Sequence, residues 1–168
     1  DDYSVREEAA RSLGSMKDQG AIKPICQLLS GGIDKAGREQ KGTALLSEPC
    51  EALIEALGEI GDDSAMIQDT ILPFCKHPRP LVRAAACRSL LQLTGCSQWA
   101  EELKTLLEHP EPLVRRGALL DLGATGWTAA LPAIKTAAVE ASLKLVALRG
   151  LAECSDGTAV LDAMDDLL

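Results

Sequence analysis

Aromatic side chains are nearly absent: Tyr3, Phe74, Trp99 and Trp127 are the whole complement of the 168 residues. A core built on large rings is excluded, so contacts between Ala- and Leu-rich helices must carry the packing. Cations are outnumbered too, with 17 Lys and Arg against 25 Asp and Glu and a net charge of -8. Phosphate neutralisation needs a basic footprint, so this balance argues against a nucleic-acid partner. No apolar run approaches the roughly 18 residues of a membrane span, and no secretory leader is visible. The expectation is a cytoplasmic chain without membrane insertion. The six cysteines form no CxxC pair and mostly fall at apolar helix positions, which reads as buried thiols rather than disulfides. There is no phosphate-cradling glycine motif and no Ser/His/Asp arrangement arguable from spacing. No catalytic residue is therefore assigned.

What the chain does contain is a heptapeptide that occurs twice. His77-Pro78-Arg79-Pro80-Leu81-Val82-Arg83 returns 32 positions later as His109-Pro110-Glu111-Pro112-Leu113-Val114-Arg115. Self-similarity at this period marks a stacked helical-repeat array. Pro80 and Pro112 fall where a first helical turn tolerates proline, because the missing amide would have had no partner there. Behind them Val82, Ala85, Ala86, Leu90 and Leu93, then Val114, Gly117, Ala118 and Leu122, recur at helical spacing. Gly95 and Gly123 are expected to stop these two helices in a left-handed conformation. A second amphipathic stretch follows each. The unit is a helical hairpin.

Taken in order, the pattern predicts about five hairpins at 3–29, 48–76, 79–108, 111–138 and 140–168, with a long glycine-rich loop at 30–47. The whole, 1–168, reads as one all-α domain, a right-handed α-solenoid, expected to be a fragment of a longer array. A fully buried Leu or Val contributes about 1.5–3 kcal/mol, too little for a lone hairpin to offset its ordering entropy. Stacking is what makes such a chain fold.

Alignment of the hairpins separates scaffold from candidate site. The slot after the apolar residue holds Arg6, Arg83, Arg115 and Lys144, and Cys50 in the second hairpin. A cation in nearly every repeat is expected to form a structural ladder, bonding a carboxylate such as Asp62, Asp63 or Asp121 or a helix-end carbonyl of a neighbouring repeat. Residues that occur once are more informative. Trp127 and Trp99 either cap the apolar seams of their hairpins or form a stacking wall for a flat ligand. Lys35, Arg38 and Lys41 gather in the loop as a solvated linker or as an anion or partner contact. Asp69, Lys76, Glu101, Lys104, Glu108 and Lys135 are non-repeating charges on second helices, read mostly as solvated surface. His77 and His109 share one turn position before proline, so turn geometry accounts for both. Neither is followed by the Glu that a helical-repeat iron site would use, and no metal is expected.

Several ordered stretches resemble the HEAT-like E-type subunits of heterodimeric phycobilin lyases. They are Val5 to Gly14, Ala21 to Leu29 with the glycine-rich break after it, Glu51 to Gly58, Leu93-Thr94-Gly95, Arg115 to Trp127, and Ser142 to Leu151. Val-Arg and Leu-Gly elements alone are common to many HEAT-like arrays. The ordered set with its break in period is more specific, and it covers about nine tenths of the chain but only the C-terminal part of a typical E-type subunit. Trp127 stands where many relatives would carry tyrosine.

The resemblance implies an F-type HEAT-like partner and a phycobiliprotein subunit as acceptor. The two lyase subunits would together place a phycobilin, phycocyanobilin or a related linear tetrapyrrole, on a cysteine of that acceptor. The pigment is substrate; no prosthetic group is implied. Two propionates, flat pyrrole rings and inner N–H groups call for cations, aromatic walls and a carboxylate. Lys35, Arg38, Lys41, Trp99 and Trp127 are candidates for the first two roles, and Asp69 or Glu101 for the third. The alternative is a non-catalytic HEAT-repeat scaffold for protein–protein contacts, which composition fits equally well. A HEAT-like DNA glycosylase is disfavoured by the acidic charge.

Overall fold

The computed structural model describes residues 2–33, 49–61, 65–154 and 158–167. Every regular element among them is helical. The first-unit helices are α1 (Tyr3–Ser15), α2 (Ile22–Ser30), α3 (Cys50–Ile60), α4 (Ala65–Ile71) and α5 (Pro80–Thr94). Those of the second are α6 (Ser97–Leu106), α7 (Pro112–Ala124), α8 (Leu131–Thr136), α9 (Ala141–Glu153) and α10 (Thr158–Asp165). The chain divides into two compact units, Asp1–Gly95 and Cys96–Leu168. The cut falls inside the third predicted hairpin, between α5 and α6.

Local chemistry explains the ends. Pro80 and Pro112 stand in the first turns of α5 and α7. The Asp2 carboxylate accepts the Ser4 amide at 3.2 Å to cap α1. Gly95 closes α5 at φ 64°, a conformation that costs a side-chain-bearing residue energy. Pro73 stands in the first turn of a 3-10 segment, Leu72–Lys76, that follows α4, and Pro132 in the first turn of α8, which another 3-10 turn, Thr128–Ala130, precedes. These second helices are shorter than the sequence pattern predicts.

In the first unit, α1 packs on α3 and α3 on α5. Small residues at the crossings permit close approach. A Cβ added to Gly14 would lie 2.9 Å from Ala56 Cα, and one added to Gly58 would lie 2.8 Å from Ser89 Cβ. The buried Ser89 hydroxyl donates to the Ile54 carbonyl at 3.0 Å, so the polar atom at this contact is satisfied. Leu29, Ile54, Leu57, Ile67, Ile71, Phe74 and Leu90 form the fully buried core. Phe74 is the one aromatic residue among them. Arg88, on α5, reaches Glu55 and Glu59 on α3 at 3.9 and 3.8 Å.

In the second unit α7 packs on α9, α6 on α7, and α8 on α9. Gly123 does not end its helix as the sequence reading expects. It lies inside α7, where a Cβ would meet the Ala147 carbonyl oxygen at 2.4 Å, and the left-handed residue is Gly126, at φ 70°. Packing against α9, rather than helix termination, explains the residue. Leu103, Leu119, Leu122, Ile134, Leu148 and Leu151 fill this core.

None of the six cysteines, all of them among the described residues, is joined in a disulfide. Cys26, Cys50 and Cys87 are buried as expected, while Cys96 and Cys154 cap helix ends and are exposed. A capping position lies at the rim of the packed layer, which explains the difference.

Candidate functional site

Three cations of the repeating slot, Arg83, Arg115 and Lys144, end on backbone carbonyls. Arg83 Nη1 donates to the carbonyls of His77 at 2.8 Å and Pro78 at 3.2 Å. Arg115 Nη1 does the same to His109 at 2.8 Å and Pro110 at 2.9 Å, and its Nε reaches Ala138 O at 3.2 Å. Lys144 Nζ donates to Lys135 O at 2.7 Å. These groups tie the start of a helix to the turn or helix end before it, and Arg115 also to the segment just after α8, where carbonyls lack helical partners. Arg6 is half-buried on α1. Asp62 and Asp63 lie outside the described residues.

The histidines follow the same repeat logic. Each Nδ1 accepts the amide two residues on, from Arg79 to His77 and from Glu111 to His109, both at 3.1 Å. Their surroundings differ. His77 is 0% exposed and stacks on Phe74 with centroids 6.2 Å apart. His109 has Leu106 at the position corresponding to Phe74, and its half-buried ring lines a cleft of about 680 Å³.

That cleft, of a size suited to a small organic ligand, is bounded by the exposed side of α6, the turn at His109 and Pro110, Arg115 of α7, and the end of α8. Glu101 and Lys104 stand on its α6 wall, one turn apart, so their side chains meet. Lys104 Nζ lies 2.9 Å from Glu101 Oε2 and 3.1 Å from Oε1. The same ammonium stands 5.7 Å from the centroid of the Trp127 ring, within cation–π range. Trp127 is presented by the turn at Gly126, where a Cβ would collide with Cys154 Cβ at 2.6 Å, and its amide donates to Thr125 Oγ1 at 3.4 Å.

Of the residues singled out from the sequence, the structure thus brings Glu101 and Trp127 together through Lys104. Trp99 is half-buried near the start of α6 and does not line the cleft; Trp127 does not line it either and meets it only through Lys104. Asp69 is exposed on α4 in the first unit. Lys35, Arg38 and Lys41 lie outside the described residues. Sequence reasoning does not single out two cleft residues. Lys104 reads as one more surface charge, although its i,i+3 spacing to Glu101 is visible. His109 reads like His77, although Leu106 stands where Phe74 does in the preceding hairpin.

Nearby, Arg116 Nε donates to Glu140 Oε2 at 3.1 Å, and a second guanidinium N–H bonds the other oxygen. The side-chain bond from Arg116 holds the Glu140 carboxyl down at about 2, helped by a backbone bond. Among the described residues no group of three or more His, Cys, Asp or Glu is placed to hold a metal ion, and no helix is long and apolar enough to cross a membrane.

Comparison with known proteins agrees with this architecture. HEAT repeats match over residues 68–152, and the PBS lyase HEAT-like repeat matches over 5–31. The bilin biosynthesis protein RpcE of Synechococcus sp. (strain WH8020) is 61% identical over 99% of this chain and 63% of its own length. The phycocyanobilin lyase subunit alpha of Pseudanabaena tenuis (strain PCC 7409) is 35% identical over 99% of this chain and 76% of its own. The chain belongs to the phycocyanobilin lyase alpha-subunit family. A solved structure of the complex of CpcE and CpcF of phycocyanin lyase from Nostoc sp. PCC7120 is similar to this lyase-family chain at a TM-score of 0.84 and 42% identity. That match covers 99% of this chain and 64% of the solved one. The fold is accordingly that of the all-α HEAT-like lyase subunits. The chain spans under two thirds of the length of the RpcE relative, and 65% of the phycocyanobilin lyase subunit alpha of Picosynechococcus sp. (strain ATCC 27264 / PCC 7002 / PR-6).

Proposed function

We propose that the chain acts in the cytoplasm as part of a bilin lyase subunit, paired with an F-type HEAT-like partner, and helps place a phycobilin on a cysteine of a phycobiliprotein subunit. The observation that carries this reading is the similarity, over 99% of the chain, to a solved complex of CpcE and CpcF of phycocyanin lyase. The names of the sequence relatives supply the pigment class.

In this reaction the acceptor's thiol adds across the ethylidene double bond of the bilin A ring. The sulfur bonds to the ethylidene carbon, the double bond opens, and the thiol proton ends on the ring carbon. Nothing is oxidised or reduced, and the nucleophile belongs to the acceptor, so the lyase needs no nucleophile of its own. Its task is to hold the pigment extended and aligned with the thiol, and positioning alone can account for much of a rate enhancement. Trp127 would supply a flat wall and Lys104 a cation, both in the second unit, with the Glu101 carboxylate beside them. Trp99, Asp69 and the loop cations Lys35, Arg38 and Lys41 are proposed as further contacts.

The test combines phycocyanobilin, this chain, an F-type partner and an apo phycobiliprotein subunit, with a full-length E-type subunit as control. Covalent adduct is read by absorbance and zinc-enhanced fluorescence. An adduct that depends on this chain is expected. If the partners and control form adduct but this chain does not, its repeats alone lack lyase function.

A further inference from the structure

The cleft in the second unit contains groups of two kinds, those already committed to the scaffold and those still able to bind a ligand. Arg115 belongs to the first kind, since its guanidinium is occupied by three backbone carbonyls. Lys104 belongs to the second. Its bonded partner is Glu101, a neighbour on its own helix whose side chain is 58% exposed. An exposed pair of this kind contributes little to stability, so an incoming carboxylate can replace Glu101 without loss of fold. The Trp127 ring keeps the ammonium in place during such an exchange.

His109 supplies a second donor. The Glu111 amide donates to its Nδ1 at 3.1 Å, so the neutral ring carries its proton on Nε2. Among the described residues no atom accepts from that Nε2. The corresponding histidine of the preceding hairpin, His77, is sealed under Phe74, so the shared turn does not require an open ring. The opening at His109 is a local feature of the cleft.

We infer that this cleft is a carboxylate-binding subsite, in which Lys104 exchanges Glu101 for a propionate of the pigment and His109 donates from Nε2 to the same group. The inference rests on the lyase reading and assigns it a specificity device. Glu101 becomes the built-in competitor that the propionate displaces, which reconciles an acidic surface with an anionic ligand. A flat conjugated molecule without the acid should be a poor occupant.

The experiment is a spectral titration of the chain with two probes, phycocyanobilin and its dimethyl ester, which keeps the conjugated rings and removes both charges. The free acid is expected to bind about ten-fold or more tightly than the ester, the range of one charge-assisted bond. Lys104→Met should abolish that preference and leave ester affinity unchanged. His109→Asn, whose side-chain oxygen can still accept the Glu111 amide, should weaken the acid alone. Glu101→Gln should tighten acid binding, a direction that loss of fold cannot produce. Lys135→Met is the charge control and should match the unaltered chain, because Lys135 does not line the cleft.

Equal affinity for acid and ester, a parallel loss of both in Lys104→Met, an unchanged acid affinity in Glu101→Gln, or an equal loss in Lys135→Met would each overturn the subsite. So would absence of pigment binding. Adduct formation in the reconstituted assay reports separately on lyase function: adduct with no acid preference removes the subsite and leaves the lyase reading standing.

Discussion

Gly123 of α7 and Ala147 of α9 are in direct backbone contact, so close that a Cβ on Gly123 would lie 2.4 Å from the Ala147 carbonyl oxygen. Backbone cannot retreat as a flexible side-chain tip can. Gly123→Ala is therefore expected to destabilise the chain by about 1–3 kcal/mol through overpacking, despite the gain of about 1 kcal/mol in helix propensity that the substitution would otherwise bring. A urea midpoint that falls supports the contact. An unchanged or higher midpoint contradicts it.

Arg115 fastens the start of α7 to the preceding turn and to the end of α8. Arg115→Met should lower the unfolding free energy by about 1.5–3 kcal/mol, the usual contribution of a hydrogen bond to a charged group. Arg115→Lys should recover only part of this, because one ammonium cannot reproduce a planar fork across separate carbonyls. Thermal unfolding of the three proteins ranks them directly. Identical melting temperatures would mean that the guanidinium contributes no stability.

Trp127 lends its ring to Lys104 and stands only half-buried. Trp127→Ala should weaken pigment capture about ten-fold while the melting temperature falls by a few degrees at most. The two effects separate because the half-buried ring steadies Lys104 and is not part of the buried core. A large drop in melting temperature in proportion to the loss of capture would show that Trp127 is a packing residue.

Glu140 carries a pH signature. Its bond to Arg116 depresses the folded-state carboxyl to about 2 from an ordinary 4.5. The stabilising contribution of the pair is thus complete above the unfolded value near 4.5 and fades as pH falls toward about 2. An NMR titration of the Glu140 carboxyl carbon should show a midpoint near 2, and Arg116→Gln should return it to the ordinary range. A midpoint in the ordinary range in the unaltered chain would show that the bond does not hold in solution.

Much of the architecture is legible in one dimension because its signals are local. Proline at a helix start, glycine after a helix end and apolar spacing of three and four residues depend only on near neighbours. Gly123 shows the limit of such reading. Its position near the end of an apolar run suggests a helix stop, and only the approach of α9 reveals a packing residue.

The candidate site was legible in part. Trp127 stands out because it does not repeat and Glu101 because the resemblance calls for a carboxylate, whereas Lys104 and His109 look ordinary until folding brings Trp127 to one and leaves the other uncovered.

The sequence by itself determined the all-α class, the hairpin period, the proline-marked starts of α5 and α7 and the family resemblance, since each depends on chemistry within a turn or two of chain. Only the tertiary structure decided which side chains share a cleft, which of two matching histidines is open, and which cations are already bound to backbone. Those properties depend on what neighbouring helices bring to a residue, and residues 23 or more positions apart, such as Arg115 and Ala138 or Lys104 and Trp127, meet only when the helices pack.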